Sequence, residues 1–173
     1  LLTSALAFVI SILLLQQVMA TGTISYELGG WSPPWGIEYR IDKLNAFIAL
    51  IISGVSTVVL LAAHTSIEKE IPKEKHTLFY ILYLLSLTGM LGIVTTGDAF
   101  NVFVFLEISS LSAYSLIALG RDRRALWASF QYLIMGTIGA TFILIGIGLM
   151  YQMTGTLNMA DLAERLPEVA ETR

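Results

Sequence analysis

The segment from residue 77 to residue 120, TLFYILYLLSLTGMLGIVTTGDAFNVFVFLEISSLSAYSLIALG, decides the fold class. Its formal charges are Asp98 and Glu107, which are too few for a water-soluble helix with a polar outer face. As one helix it would be about 66 Å long, roughly twice the 30 Å hydrocarbon core of a bilayer. It must therefore turn back once. We expect the turn at 95–98, with Gly97 ending one helix and Asp98 capping the next.

The rest of the chain follows the same pattern. Of 173 residues, 55% are hydrophobic and 13% are charged, about half the charged fraction of a soluble domain. Five stretches are long and apolar enough to cross a bilayer, which takes roughly 20 residues. They are 1–20, 44–63, 77–96, 99–120 and 125–151. The sequence therefore predicts an all-α integral membrane protein, a bundle of about five transmembrane helices, in the cell inner (plasma) membrane.

Composition also excludes several classes of site. The net charge of −3 gives no sign of nucleic-acid binding. The absence of cysteine excludes disulfides, thiolate metal sites and cysteine-ligated iron–sulfur clusters in this chain. His64 and His76 flank a charged loop, and we interpret them as interfacial residues without a metal-ligand role. No cofactor or metal is predicted. A stand-alone membrane enzyme is the least favoured class, because no nucleophile–base pair or metal cluster is present.

Basic residues in the loops predict the orientation. With five spans, loops 64–76 and 121–124 fall on one side of the membrane, and each carries three Lys or Arg residues. The opposite side carries Arg40, Lys43, Arg165 and Arg173. Because short cytoplasmic loops are enriched in Lys and Arg, we expect the two loops to be cytoplasmic. The start of the chain is then cytoplasmic and its end external.

The two segments on the opposite side differ in kind. Loop 21–43 carries aromatic residues that suit the headgroup region, and its Gly-Gly and Pro-Pro pairs preclude a regular helix. We expect a short extended hairpin lying on the membrane, the alternative being a flexible linker. The external segment 152–173 is amphipathic, and its leucines predict one interfacial face. These are Leu157, Leu162 and Leu166.

Small residues mark two of the spans. They let helix backbones approach closely in lipid, so we expect helix packing at these positions rather than a hinge. They are Gly89 and Gly92 in the third span and Gly136, Gly139, Ala140, Gly146 and Gly148 in the last.

One charge lies at an unexpected depth. Glu107 is nine residues after Asp98 and fourteen before Arg121, about 14 Å and 21 Å from the two ends of its span. A charge at mid-membrane costs about 2.5–3.5 kcal/mol on insertion scales, so such a residue is a candidate functional site. Desolvation disfavours the charged form of a carboxyl, so Glu107 is predicted to bind and release a proton. The alternative is a permanently protonated residue that holds helices together.

Glu107 has no charged partner in the sequence at the same depth. No Lys, Arg or His lies near the middle of any span, so a counter-charge must come from a missing segment, from another subunit, or be absent. We name Ser110, Tyr114 and Gln131 as candidates for a polar path beside Glu107.

Four strings carry a resemblance to a known family. They are GGWSPPWGIEYRIDKLNAF (29–47), TGDAFNVFVFLEISSLSAYSLIALG (96–120), ASFQYLIMG (128–136) and YQMTGTLNMADLAERL (151–166). The last three resemble the antiporter-like proteins shared by respiratory complex I and Mrp-type cation/proton antiporters. The first makes the match closest to the D-type subunit of the Mrp antiporters.

The resemblance implies a larger protein of about fourteen helices built from two inverted repeats, a plan typical of transporters. This chain would be a partial antiporter-like domain, from the family's second helix to its sixth. Glu107 falls on the family's acidic residue of the fifth helix, which pairs with a lysine on the seventh, beyond Arg173. Many relatives have a lysine before the tyrosine of the sixth helix, where this chain has Gln131-Tyr132. A neutral Gln131 cannot act on Glu107 by charge.

The favoured function is therefore a proton-conducting subunit of a multisubunit Na⁺/proton antiporter. The partners would be other membrane subunits, the lipid bilayer, protons and Na⁺. The first alternative is a homologous pump subunit of a complex I-type NADH:quinone oxidoreductase or a membrane-bound hydrogenase, in which this chain could carry no electrons. A different class is a membrane scaffold that does not transport and in which Glu107 is dispensable.

Overall fold

The computed structural model describes residues 1–171, except for the side chains of residues 64, 65, 170 and 171. Arg173, counted above for orientation, lies outside the described residues. The helices are α1 (Leu2–Thr21), α2 (Lys43–Glu70), α3 (His76–Thr95), α4 (Ala99–Ala118), α5 (Arg123–Thr154) and α6 (Met159–Glu171), and the strands are β1 (Ile24–Glu27) and β2 (Glu38–Ile41). Helices α1 to α5 each contain a segment long and apolar enough to cross a membrane. The prediction of an all-α, multi-pass membrane bundle is confirmed.

The five long helices pack in chain order, each against the next. Small polar residues occupy the buried positions between α1 and α2. Ser4 and Ser53 are fully buried, and the Ser53 hydroxyl lies 3.1 Å from that of Ser11. Much of the outer surface consists of exposed apolar side chains, as expected of helices that face lipid or further membrane helices.

The turn between α3 and α4 lies where the sequence predicts it. Helix α3 ends at Thr95, and the Asp98 carboxylate accepts a hydrogen bond of 2.8 Å from the Asn101 amide, which caps α4. The role predicted for Gly97 is wrong, because its φ is not positive and it does not end α3. The absence of a side chain at Gly97 instead leaves space for Glu38, because a β-carbon on residue 97 would lie 3.0 Å from Cγ of Glu38.

At one end of the bundle the α2–α3 and α4–α5 connections meet. The Arg121 guanidinium donates a 3.3 Å hydrogen bond to the carbonyl oxygen of Ile71, so both connections lie on the same side. The first connection is shorter than predicted, because α2 continues to Glu70. His64 therefore belongs to α2, and the structure does not describe its side chain. His76 is the first residue of α3, with its ring nitrogen 3.1 Å from the Ile71 oxygen. Which side is cytoplasmic stays a prediction.

The opposite end contains the predicted hairpin. Strands β1 and β2 pair antiparallel, from Ile24 opposite Ile41 to Glu27 opposite Glu38. Asp42 then caps α2, because its carboxylate accepts a 2.8 Å hydrogen bond from the Asn45 amide. The hairpin is confirmed, and its position on the membrane surface stays a prediction.

Helix α6 corrects one expectation. Leu162 is buried in a cluster with Ala99 of α4 and Ile147 of α5, and Leu157 and Leu166 pack against the same cluster. The leucine face therefore docks on the bundle and does not form a free interfacial face. On the polar side of α6, the Arg165 guanidinium donates a 2.8 Å hydrogen bond to Asp161. Hydrogen bonds from Arg165 and Thr156 lower the pKa of the Asp161 carboxyl below its usual value.

The small residues divide into two groups. Gly89 is packed by α4, since a β-carbon there would lie 2.7 Å from the Ser109 backbone nitrogen. Gly92 lies against the Phe105 ring, and Gly136 against the Tyr114 hydroxyl. At these positions the packing prediction is confirmed. Ala140 is also buried, but for Gly139, Gly146 and Gly148 the described residues provide no atom within 4 Å of a β-carbon, so packing at these three positions stays a prediction.

Candidate functional site

Glu107 lies near the middle of α4, and two neighbours fix its direction. The Phe105 carbonyl oxygen and the Ser109 backbone nitrogen both border Gly89 of α3. Residues four apart share one face of a helix, and a residue midway between them lies on the opposite face. Glu107 therefore projects away from α3.

The face that carries Glu107 runs along α5. Tyr114 lies against Gly136 at one end of this face, and at the other end Phe103 packs on the cluster that contains Ile147. Gly136 lies in the first half of α5 and Ile147 in the second, so α4 and α5 run antiparallel. Glu107, between Phe103 and Tyr114 on α4, therefore lies along the part of α5 between residues 136 and 147.

In this part of α5, Ala140 is buried and Ile143 is exposed. The Glu107 side chain is half-buried, and no residue in the described part of the chain forms a hydrogen bond or ion pair with its carboxylate. Within the described residues the Glu107 carboxylate therefore has no hydrogen-bond donor.

The three other predicted site residues are not brought together. Ser110 and Tyr114 share the face of α4 that carries Glu107. Tyr114 is only 6% exposed, and its ring is edge-on to that of Tyr132, with ring centroids 4.7 Å apart. Gln131 of α5 is exposed and has no hydrogen-bond partner among the described residues. Ser110 and Tyr114 therefore lie on the Glu107 face of α4 without a contact to its carboxylate, Gln131 lies apart, and the polar path stays a prediction.

Sequence reasoning missed a buried carboxylate at the hairpin end. Glu38 is 5% exposed, and its two carboxylate oxygens accept hydrogen bonds of 2.8 Å from the Ser25 hydroxyl and 2.9 Å from the Asn158 side-chain amide. The contact with Asn158 joins residues 120 positions apart, so no local pattern indicates it. The available signal was that Glu38 and Asn158 lie within two of the strings that carry the family resemblance.

Comparisons with known proteins support the family. Residues 96–172, which include Glu107, match the family described as "NADH:quinone oxidoreductase/Mrp antiporter, TM". NADH-quinone oxidoreductase subunit N of Desulforudis audaxviator is 47% identical over 147 residues, 85% of this chain and 29% of that protein. The D-type subunit of the Na(+)/H(+) antiporter of Bacillus subtilis is 34% identical over 169 residues, 98% of this chain and 34% of that protein.

Two solved structures have the same fold. A chain of the membrane-bound sulfane sulfur reductase, an archaeal respiratory membrane complex, superposes with a TM-score of 0.88 at 39% identity, over 96% of this chain and 34% of that one. A chain of the Mrp complex from Dietzia sp. DQ12-45-1b gives a TM-score of 0.82 at 24% identity, over 90% of this chain and 29% of that one, which shows the fold alone.

The fold and these comparisons together define an antiporter-like, multi-pass membrane protein. The chain is a homologue of the membrane subunits shared by NADH:quinone oxidoreductases and Mrp antiporters, as its resemblance to both implied. It spans about a third of the length of the curated relatives it matches. Its homologues include named subunits and a chain of a respiratory membrane complex.

Proposed function

We propose that this chain is part of a proton-conducting subunit of a monovalent cation/proton antiporter complex, and that Glu107 carries the proton. The observation that supports the proposal is a half-buried carboxylate in the middle of α4 without a hydrogen-bond or ion-pair partner among the described residues. A carboxyl group away from water is stable when it is protonated or faces a cation. Alternation between these two states is what proton transfer requires.

The second partner in the transfer must lie outside the described residues. The family resemblance implies a lysine on a later helix, which would alternately stabilise the carboxylate and release it to protonation. Other membrane subunits are the proposed partners, since the two structural neighbours belong to multisubunit complexes. Na⁺ is the proposed exchanged ion, on the basis of similarity to the Na(+)/H(+) antiporter of Bacillus subtilis.

A redox-driven pump is the second candidate. It is favoured by the 47% identity to NADH-quinone oxidoreductase subunit N and by the fold of the sulfane sulfur reductase chain. The role of Glu107 would be the same, and only the source of energy would differ. A non-transporting scaffold is the third candidate and leaves the mid-membrane carboxyl without a role.

The deciding experiment replaces Glu107 in the full-length protein within its complex. Glu107→Gln keeps the shape and the hydrogen-bonding capacity of a protonated glutamic acid but cannot release a proton. Exchange, measured as Na⁺-dependent proton movement in membrane vesicles at matched protein levels, should fall at least about a hundredfold, a typical contribution of a positioned proton-transfer group. Glu68→Gln, at an exposed position near the end of α2, is the matched control and should exchange normally.

The outcomes separate the three candidates. Loss of exchange in Glu107→Gln with normal assembly supports proton transfer by Glu107. Proton movement that appears only when an electron donor is supplied, and is then lost in Glu107→Gln, indicates the redox-driven pump. Wild-type proton movement by Glu107→Gln under both conditions contradicts the proposal and favours the scaffold.

A further inference from the structure

The short connection between α3 and α4 is held on both sides by distant parts of the chain. On one side, the Gly97 amide donates a 2.9 Å hydrogen bond to the Glu38 carbonyl oxygen of β2. On the other side, the Gly97 carbonyl oxygen accepts from the Met159 amide at 2.9 Å, and the Ala99 amide donates to the Leu157 oxygen at 2.8 Å. The connection therefore lies between the hairpin and the segment that enters α6, with backbone hydrogen bonds to both.

The Glu38 side chain joins the hairpin to the segment that enters α6, across the connection between α3 and α4. It lies over Gly97, where a β-carbon would come within 3.2 Å of its carboxylate oxygen Oε1. The same oxygen accepts the hydrogen bond from Asn158, and the second carboxylate oxygen accepts from Ser25 of β1. One buried carboxylate thus connects β1, β2, the α3–α4 connection and the start of α6.

Hydrogen bonds to its side-chain oxygen fix the orientation of the Asn158 amide. Its side-chain oxygen accepts from the Ala160 and Asp161 amides at 3.0 and 3.1 Å, which caps α6. Its nitrogen must therefore face Glu38, and a carboxylate is the acceptor that matches it. The charged groups that line the groove around Glu38 are Arg40, Asp161 and Glu164, and none forms an ion pair with Glu38 in the described part of the chain.

We propose that Glu38, through Asn158 and Gly97, is a positioning residue that fixes the N-terminal end of α4 and thereby the place of Glu107. Glu107 lies nine residues beyond Asp98, about 14 Å along the same helix, so a shift of the capped end moves its carboxyl relative to any partner on another helix. The inference rests on the proposed role of Glu107. It assigns to Glu38 hydrogen bonding, not proton transfer.

The test swaps the hydrogen-bond donor and acceptor groups of Glu38 and Asn158 in the full-length protein and measures cation/proton exchange. Glu38→Gln can accept from Asn158 with its oxygen and donate to the Ser25 hydroxyl with its nitrogen, so exchange should stay near wild type. Asn158→Asp keeps the cap of α6 but places two carboxylates face to face. At pH 8 its exchange should fall about tenfold, the factor that corresponds to about 1.4 kcal/mol, or one lost hydrogen bond.

The double variant Glu38→Gln with Asn158→Asp should restore exchange, because the new amide donates to the new carboxylate and accepts from Ser25. Exchange by Asn158→Asp alone should recover as the pH falls, since protonation of either carboxyl allows it to donate to the other. Glu38→Ala should lower exchange without abolishing it, and should also displace the pH of half-maximal exchange. A purely structural role would lower the amount of assembled complex and leave this pH unchanged.

Three results would overturn the inference. One is a double variant that exchanges no better than Asn158→Asp alone, or that restores assembly without exchange. The second is loss of exchange by Glu38→Gln, which would show that the charge itself is needed. The third is wild-type exchange and an unchanged pH profile in Glu38→Ala. Failure of the proposed function is distinguishable from all three, because it requires Glu107→Gln to transport normally.

Discussion

The hydroxyl of Tyr114 lies against Gly136, in the space that a β-carbon on residue 136 would occupy. The buried ring of Tyr114, on α4, contacts the ring of Tyr132 of α5 edge-on. The Tyr114 backbone carbonyl oxygen accepts a 2.7 Å hydrogen bond from the hydroxyl of Ser129, also on α5. These contacts set the register in which α5 passes Glu107. Gly136 is therefore the residue that allows α5 to pack at this distance.

Gly136→Ala should weaken the α4–α5 contact. A methyl group in a filled space costs about 1–3 kcal/mol. Thermal unfolding of the full-length protein in detergent should show a lower midpoint. Tyr114→Phe removes the obstructing oxygen and should recover part of the loss when combined with Gly136→Ala. Gly139→Ala is the matched control, because no described atom lies within 4 Å of a β-carbon there. An equal loss in both glycine variants would contradict the specific contact.

Much of the fold could be predicted from the sequence, for a physical reason, whereas the role of Glu107 stays a prediction. A bilayer fixes the length of each span and makes a charge within it conspicuous, so the helices and Glu107 follow from local pattern. Asp98 was likewise identified from its own preference for helix caps. The local propensity of Gly97 predicts a helix end, whereas in the structure Gly97 lies closely against the Glu38 side chain. Contacts between distant segments, such as Glu38 with Asn158, leave no local pattern.

The apolar face at α6 and the position of Gln131 on α5 also depend on contacts that a local sequence pattern does not contain. The sequence identified Leu162 and its neighbours as one apolar face, but whether such a face covers protein or lipid depends on the fold. In the structure it covers Ala99 and Ile147. The resemblance could place Gln131 near Glu107 in the family plan, but the described residues leave it exposed. A position relative to helices outside the chain cannot be obtained from local pattern.

The Asp98 cap should stabilise α4 measurably. Replacement of an N-cap aspartate by alanine costs about 1 kcal/mol, because the amide that it accepted from loses its partner. Asp98→Ala should therefore lower the thermal midpoint of the full-length protein, whereas Asp98→Ser, which can still cap, should keep most of it. Equal midpoints for the alanine and serine variants would show that the hydrogen bond to Asn101 contributes nothing.

The orientation can be tested with single cysteines, since the chain contains none. Lys73→Cys and Arg123→Cys, both exposed at the end where Arg121 contacts Ile71, should react with a membrane-impermeant thiol reagent only from the cytoplasmic side. Ser32→Cys, exposed in the loop between β1 and β2, should react only from outside. Labelling of Lys73→Cys from outside would reverse the predicted orientation, and labelling of Ser32→Cys serves as the internal control for sidedness.

The length of the side chain at residue 107 provides the last test of the α4 face. Glu107→Asp keeps an ionisable carboxyl but withdraws it by one methylene, over about 1 Å, and a misplacement of that size can cost about a hundredfold in a transfer step. Its exchange should lie between those of wild type and Glu107→Gln.

Ser110→Ala is the matched control, because it alters the same face one turn away without changing a charge. It should lower exchange less than Glu107→Asp if Ser110 only borders the path. Exchange rates at several pH values, in vesicles with equal amounts of assembled complex, distinguish the variants. If Glu107→Asp exchanged as fast as wild type, the position of the carboxyl would not matter, and the register of α4 against α5 could not be part of the mechanism. A larger loss in Ser110→Ala than in Glu107→Asp would instead make Ser110 the essential group on this face.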